Sequence, residues 1–185
     1  METISQIITN NINIISIDYP FDELKKDQER FFKNRKHEMN IRVENLKDVI
    51  KVFNEERSIY WLQGKTLLGM YRDHKLIEND HDDDIGTICE NVNIVAKKII
   101  PKLISLGFKV IRSTRNNSMV SVMRNWRYID ICFFKQKGGK KYGYEKKFFP
   151  KNFYESFQTI TINNFDYIIP TKAKKIIQHS YNITI

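Results

Sequence analysis

Apolar residues recur along this chain in two rhythms. Val43, Leu46, Val49, Ile50 and Phe53 follow the i, i+3, i+4, i+7 spacing of an amphipathic helix, which predicts a helix laid on a sheet. Ahead of it, an apolar-polar mixture to about residue 20 predicts a strand or extended arm, and Asp22-Glu23 cap a charged helical stretch running to about residue 40. Tyr60-Trp61-Leu62-Gln63 reads as a short buried strand, Gly64 permits a tight turn, and Thr66 to Tyr71 opens a helix. Residues 93 to 106 predict another helix, kinked by Pro101 and ended by Gly107. The rhythm then shortens: Phe108 to Ser113, Ser118 to Arg124 and Tyr128 to Phe134 predict three strands, with Asn116-Asn117 as a turn between the first two. A hairpin follows at Thr159 to Ile169 around Asn163-Asn164, and a last helix at Lys172 to His179. No repeat or clear linker divides these elements, so the expectation is one domain over residues 1–185, with 1–41 as an N-terminal extension.

One stretch resists this simple patterning. Asp80-His81-Asp82-Asp83-Asp84 places carboxylates at i, i+2 and i+4 directly before the apolar Ile85-Gly86-Thr87-Ile88. In an extended segment Asp80, Asp82 and Asp84 share one face, about 6.6 Å apart along the strand, while His81 and Asp83 take the other. Such a row repels itself unless cations or protons neutralise it. An acidic surface loop or a calcium loop is the plain alternative. Mg²⁺ (or Mn²⁺) on a few carboxylates plus substrate phosphates points instead to phosphoryl or nucleotidyl transfer.

The preceding segment adds a phosphate cradle. A helix that opens after the Gly64 turn presents unpaired N–H groups and a partial positive charge, although simple N-capping also accounts for Thr66. Lys65 beside the turn and Arg72 two turns along offer cationic contacts. Farther on, Asp130 interrupts the strand-like Arg127-Tyr128-Ile129-Asp130-Ile131-Cys132-Phe133-Phe134. A buried carboxylate must be paired, hydrogen-bonded or metal-bound. Either Arg124 or Arg127 pairs it, or it lies beside Asp82 and Asp84 as the remaining metal ligand or the base that takes a hydroxyl's proton.

Composition narrows the class without choosing within it. A chain of 185 residues with 41% hydrophobic content can bury a sizeable core. It contains no run of eighteen apolar residues, and its first residues lack the basic region and small-residue site of a secretory signal, so a cytoplasmic protein without a membrane span is expected. Cys89 and Cys132 sit in apolar contexts suited to free thiols, and His37, His74, His81 and His179 show no zinc-ligand spacing. The net charge of +9 is partly local: Lys135, Lys137, Lys140, Lys141, Lys146, Lys147 and Lys151 surround Gly138-Gly139, with Tyr142, Tyr144, Phe148 and Phe149 among them. This 135–151 lysine loop faces water or holds an anionic donor, a phosphorylated glycan or a nucleic acid strand.

The stretch GKTLLGMYRDHKLIENDHDDDIGT resembles the signature of the LicD and fukutin-related proteins, a Gly-Gly-(Ser/Thr)-Leu-Leu-Gly turn followed by Arg-His, Ile-Pro-Trp and Asp-x-Asp-x-Asp. Gly64, Thr66, Leu67, Leu68, Gly69, Arg72, Ile77, Asp80, Asp82 and Asp84 fall on its positions without a gap. YIDICFF is similar to its hydrophobic-Asp-hydrophobic strand, and FDYIIPTKAKKIIQHSY to its closing strand, proline and helix ending in Tyr-Gly. Lys65 replaces the second glycine, Glu78-Asn79 the Pro-Trp, Asp73-His74 the His-Lys, and Asn182 the closing glycine. The resemblance implies an α+β nucleotidyltransferase-like fold of polymerase-β type, a mixed β-sheet flanked by helices. It also implies transfer of a phosphorylated alcohol, such as phosphocholine or ribitol phosphate, from a CDP-type nucleotide donor to a glycan hydroxyl with a divalent metal. Asp82 and Asp84 then grip the metal, Asp80 is a further ligand, Asp130 completes the set, and the turn at Gly64, Lys65 and Thr66, with Arg72, holds donor phosphate. A nucleotidyltransferase acting on RNA or protein, or a non-catalytic nucleic-acid-binding module, are the other readings of the same residues.

Overall fold

The computed structural model describes residue 26 and residues 35–114 and 117–184. The arm expected to residue 20, the start of the charged helix and part of the Asn116-Asn117 turn lie outside them. Helix α1, Arg35–Glu55, runs unbroken through the point where the sequence suggests one helix ending and another beginning. The reason is a polar continuation of its buried stripe: Glu38, Arg42 and Asn45 are buried in line with Leu46, Val49, Ile50 and Phe53. Strand β1, Trp61–Gln63, passes directly into α2, Gly64–Arg72, through the left-handed Gly64 at φ 63°.

Strand β2, Asp82–Ile88, is followed by a helical segment, α3, built of an α-turn Val92–Ile94, a π-turn Val95–Ile99 and an α-helix Ile100–Ser105. The wide turn sits just before Pro101, which cannot donate the N–H that a regular helix requires. Gly107 at φ 87° ends the segment, with its N–H donating to Ile104 and that of Phe108 to Leu103.

Strands β3 (Lys109–Ser113), β4 (Met119–Arg124) and β5 (Arg127–Lys137) complete the main sheet, whose order is β1-β2-β5-β4-β3. Among the described strands of this sheet, β2 and β5 pair in parallel and the other pairs are antiparallel. The face carrying Ile85, Ile129, Ile131 and Phe133 is buried against α1 and α3. On the other face, Trp61 lies over Gly86 so closely that a Cβ there would meet the indole Nε1 at 2.2 Å.

The lysine-rich segment is not a loop. β5 continues three residues past Phe134 to pair with β6 (Lys141–Tyr144), and β6 pairs with β7 (Lys147–Pro150). Tyr144 and Phe149 turn inward, and Tyr142 and Tyr144 pack on Phe134 at 5.6 and 5.0 Å between ring centroids. These rings form an aromatic core with Trp61 and Tyr154, which closes one end of the face.

Strands β8 (Phe157–Ile162) and β9 (Phe165–Pro170) form the expected hairpin, with Asn163 and Asn164 at positive φ. Helix α4, Ala173–Tyr181, ends on Asn182 at φ 51°, ψ 42°. Asparagine tolerates this left-handed cap almost as glycine does, so the departure from Tyr-Gly preserves the backbone. Both cysteines are free thiols, and no helix among the described residues is long and apolar enough to cross a membrane.

Candidate active site

One row of residues crosses the sheet. Asp84 lies opposite Asp130 in the parallel β2–β5 pair, Gln63 is opposite Asp84, Ser121 opposite Asp130, and Arg112 opposite Ser121. Asp82 is two residues before Asp84 and shares its face. The outcome is a cluster in which one oxygen from each of Asp82, Asp84 and Asp130 lies within 4.8 Å of the others. Asp83 points the opposite way, is fully buried, and receives Arg42 Nη2 at 2.8 Å and Nε at 3.1 Å. The alternation of the strand therefore separates two duties: a site face with two carboxylates, and a core face with a carboxylate neutralised by α1.

The turn at Gly64 is built against this cluster. A Cβ on Gly64 would fall 2.2 Å from Asp84 Oδ2, so only glycine lets the backbone approach the carboxylate. The Thr66 hydroxyl donates to Asp83 Oδ1 at 3.3 Å and accepts from the Asp84 N–H at 2.9 Å; it bolts α2 to β2 from beneath. What the turn has left to offer an anion is its backbone N–H groups and Lys65. Lys65 Nζ donates to Asp80 Oδ1 at 2.8 Å.

Two of the expected site residues stand apart. β2 begins at Asp82, so Asp80 is not a third member of a strand row; it lies before the strand, buried, with its carboxylate held by Lys65 and outside the three-carboxylate cluster. Arg72 is at the far end of α2, about 12 Å of helix from Gly64, where its guanidinium forks onto Asp73 at 2.7 and 2.9 Å. The alternative partners for Asp130 are also displaced. Arg124 lies over Phe108 and pairs with Asp48, and Arg127 pairs with Glu38.

Asp130 instead accepts a hydrogen bond from Ser121 Oγ at 2.5 Å and one from Arg112 Nη2 at 2.7 Å. Neither partner carries a sequence signal. Arg112 reaches this face because a bulge between Val110 and Arg112 shifts the register by one residue, which no hydrophobic pattern announces. Tyr181, the last residue of α4, also lies within the field of Asp84, Asp80 and Asp82, and burial with those charges raises its phenol. Its signal was the aromatic of the closing motif.

Burial is the first cause that raises the carboxyls of Asp82, Asp84 and Asp130 above the ordinary range. For Asp84, which is raised well above it, Asp82 and Asp130 add to the effect, while Lys147 opposes it. Among the described residues, the cations directly paired with Asp80, Asp82, Asp83, Asp84 and Asp130 are Lys65, Arg42 and Arg112. With all five ionised, two negative charges remain, the charge of one divalent cation. A cluster of carboxylate oxygens with that deficit and no nitrogen or sulfur donor fits a hard cation such as Mg²⁺ or Mn²⁺.

A family model described as the LicD/FKTN/FKRP nucleotidyltransferase domain matches residues 57–172. The chain belongs to the LicD/FKTN/FKRP family. The matched span contains Gly64, Lys65, Thr66, Arg72 and the Asp82–Asp84–Asp130 cluster, and stops short of Tyr181. An uncharacterised protein of Rickettsia typhi is 28% identical over 95 residues, covering 51% of this chain and 29% of that relative's own length. The solution structure of the antibiotic-resistance factor ANT(2'')-Ia matches with a TM-score of 0.56 at 13% identity, over 76% of this chain and 70% of that one. The crystal structure of the lincosamide antibiotic adenylyltransferase LnuA, lincomycin-bound, matches over 76% and 87% of the two chains, with a TM-score of 0.49 and 19% identity. The LicD-family chain thus carries the family's nucleotidyltransferase domain, and the likeness to ANT(2'')-Ia shows a nucleotidyltransferase fold.

Proposed function

We propose that this chain is one LicD-type domain over residues 1–185, with 1–41 as its N-terminal extension, acting in the cytoplasm. Its reaction moves a phosphorylated alcohol of the phosphocholine or ribitol phosphate kind from a CDP-type donor to a glycan hydroxyl. The observation that carries this reading is the packing of the Gly64 turn directly on Asp84, which sets backbone donors beside the Asp82–Asp84–Asp130 cluster. Asp82, Asp84 and Asp130 are the residues that would hold Mg²⁺ or Mn²⁺. That ion, when bound, supplies charge neutralisation for a transferring phosphoryl group.

The chain's own groups do the rest. Backbone N–H groups of the turn and Lys65 bind donor phosphate, and the aromatic core under β6 and β7 excludes water from one side. The acceptor oxygen forms the new bond to phosphorus, the bond to the leaving nucleoside monophosphate breaks, and the hydroxyl proton passes to a carboxylate. That carboxylate is Asp130 or Asp80, each already held by a cation, Arg112 and Lys65 respectively. The inward packing of Tyr144 and Phe149 leaves only the half-buried Tyr142 and Phe148 of this segment for stacking on bases, which weighs toward the glycan reading over a polynucleotide one.

A thermal-shift panel of CDP-, UDP-, ATP- and GTP-type ligands with and without Mg²⁺ or Mn²⁺ tests it. Stabilisation that requires both a metal and a CDP-type ligand is expected. Stabilisation by a polynucleotide alone, or by no nucleotide, would overturn the reading.

A further inference from the structure

Among the described residues, three cations pair directly with carboxylates at the acidic end of the sheet, and they are not equivalent. The Arg42 side chain is 1% exposed and locked under β2, and Lys65 is held by Asp80, outside the cluster. Arg112 alone of the three is paired to a member of the cluster, Asp130, while its side chain is 30% exposed on the face that carries the site. Its Nε donates to Ser121 Oγ at 3.0 Å, its Nη2 to Asp130 Oδ2 at 2.7 Å, and Ser121 Oγ donates to Asp130 Oδ1 at 2.5 Å. Both carboxylate oxygens of Asp130 are therefore engaged from the β3–β4 side, by a ring of contacts that exists only because the bulge brings Arg112 into register with Ser121.

This pairing neutralises Asp130 and would compete with a divalent cation held by the same carboxylate. A guanidinium 2.7 Å from a carboxylate oxygen competes with a cation for the same lone pairs and repels the cation itself. A donor phosphate approaching three carboxylates has the reverse problem and needs a cation that can follow it. The guanidinium fork matches two phosphate oxygens as well as it matches a carboxylate.

Resting on the donor reading above, we propose that Arg112 is an exchangeable cation, which neutralises Asp130 until a divalent metal does so and then transfers its hydrogen bonds to the donor's phosphate. Ser121 stays with Asp130 and keeps the carboxylate oriented when the arginine leaves. The bulge at Ile111 is thereby a functional irregularity of β3, placing a cation where an unbroken strand would have turned it to the core.

Full-length wild type, Arg112→Gln and Arg112→Lys are compared in two titrations, after circular dichroism has shown that each is folded. The first measures Mn²⁺ alone by electron paramagnetic resonance. The second measures inorganic pyrophosphate by calorimetry at saturating Mg²⁺, a probe that does not depend on the donor's base. Arg112→Gln is expected to bind Mn²⁺ about tenfold tighter and pyrophosphate about tenfold weaker, because it loses a competitor in one titration and a fork in the other. Arg112→Lys keeps the charge without the fork, so its Mn²⁺ affinity stays near wild type while its pyrophosphate affinity falls. A merely structural prop for Asp130 would weaken both ligands in Arg112→Gln, and either that result or unchanged pyrophosphate binding in both variants overturns the proposal. Should wild type itself bind no pyrophosphate with metal, the donor reading falls, a result distinct from the failure of the arginine exchange.

Discussion

Replacing Gly64 by alanine tests the joint between the turn and the carboxylates. The added Cβ would lie 2.2 Å from Asp84 Oδ2 and 3.0 Å from its Cγ, so the carboxylate must retreat by about 1.2 Å to reach ordinary contact at 3.4 Å. The backbone contributes a second cost, since alanine at φ 63° is strained by about 1 to 2 kcal/mol. The two effects separate experimentally. Urea unfolding of the metal-free protein reads the strain, and a loss of about 1 to 2 kcal/mol is expected. A retreat of about 1 Å from the cluster should cost on the order of 100-fold in turnover, and Mn²⁺ affinity should fall by about tenfold. If Gly64→Ala loses stability but keeps wild-type turnover and Mn²⁺ affinity, the turn does not set the position of Asp84 and the reasoning fails.

Other consequences follow from individual contacts. Arg42→Ala leaves Asp83 buried without its main partner and should cost about 3 to 5 kcal/mol in urea unfolding; a loss below about 1 kcal/mol would mean that Asp83 is neutral in the native protein. Because burial raises the folded-state carboxyls of Asp82, Asp84 and Asp130, the unfolded chain ionises first as pH climbs from the ordinary carboxylate range. Each such group therefore removes stability as pH rises toward its folded value and removes none below its unfolded one. Metal-free Asp84→Asn should accordingly gain in Tm on wild type with rising pH, and added Mg²⁺ should close the gap; a difference in Tm that does not vary with pH would contradict the raised carboxyl. Arg72→Ala should leave nucleotide-induced stabilisation unchanged, since its guanidinium serves Asp73 at the remote end of α2, and a lost shift would return it to the site.

The parts of this site written in local periodicity were legible from the chain. Asp82 and Asp84 alternate with Asp83, the glycine after β1 marks the turn, and Asn163-Asn164 marks its hairpin, because each signal is complete within a few residues. What failed to show was whatever depends on a partner distant in sequence. Arg42 carried no signal of its own, since only the buried Asp83 carboxylate, 41 residues away, makes it part of the core stripe. Tyr142 and Tyr144 looked like a basic loop's decoration, because their packing against Phe134 requires β5 to run on into a meander. Arg112 and Ser121 were invisible for a subtler reason: a one-residue bulge changes the face of a side chain without altering composition or pattern.

A Mn²⁺ titration followed by electron paramagnetic resonance, on wild type and on Asp82→Asn, Asp84→Asn and Asp130→Asn, reaches the central claim most directly. Convergence of these three carboxylates on one cation predicts saturable binding in wild type and a weakening of about tenfold or more in every variant, including the one on β5. Binding that survives intact in Asp130→Asn, or is unaffected in all three, would contradict it.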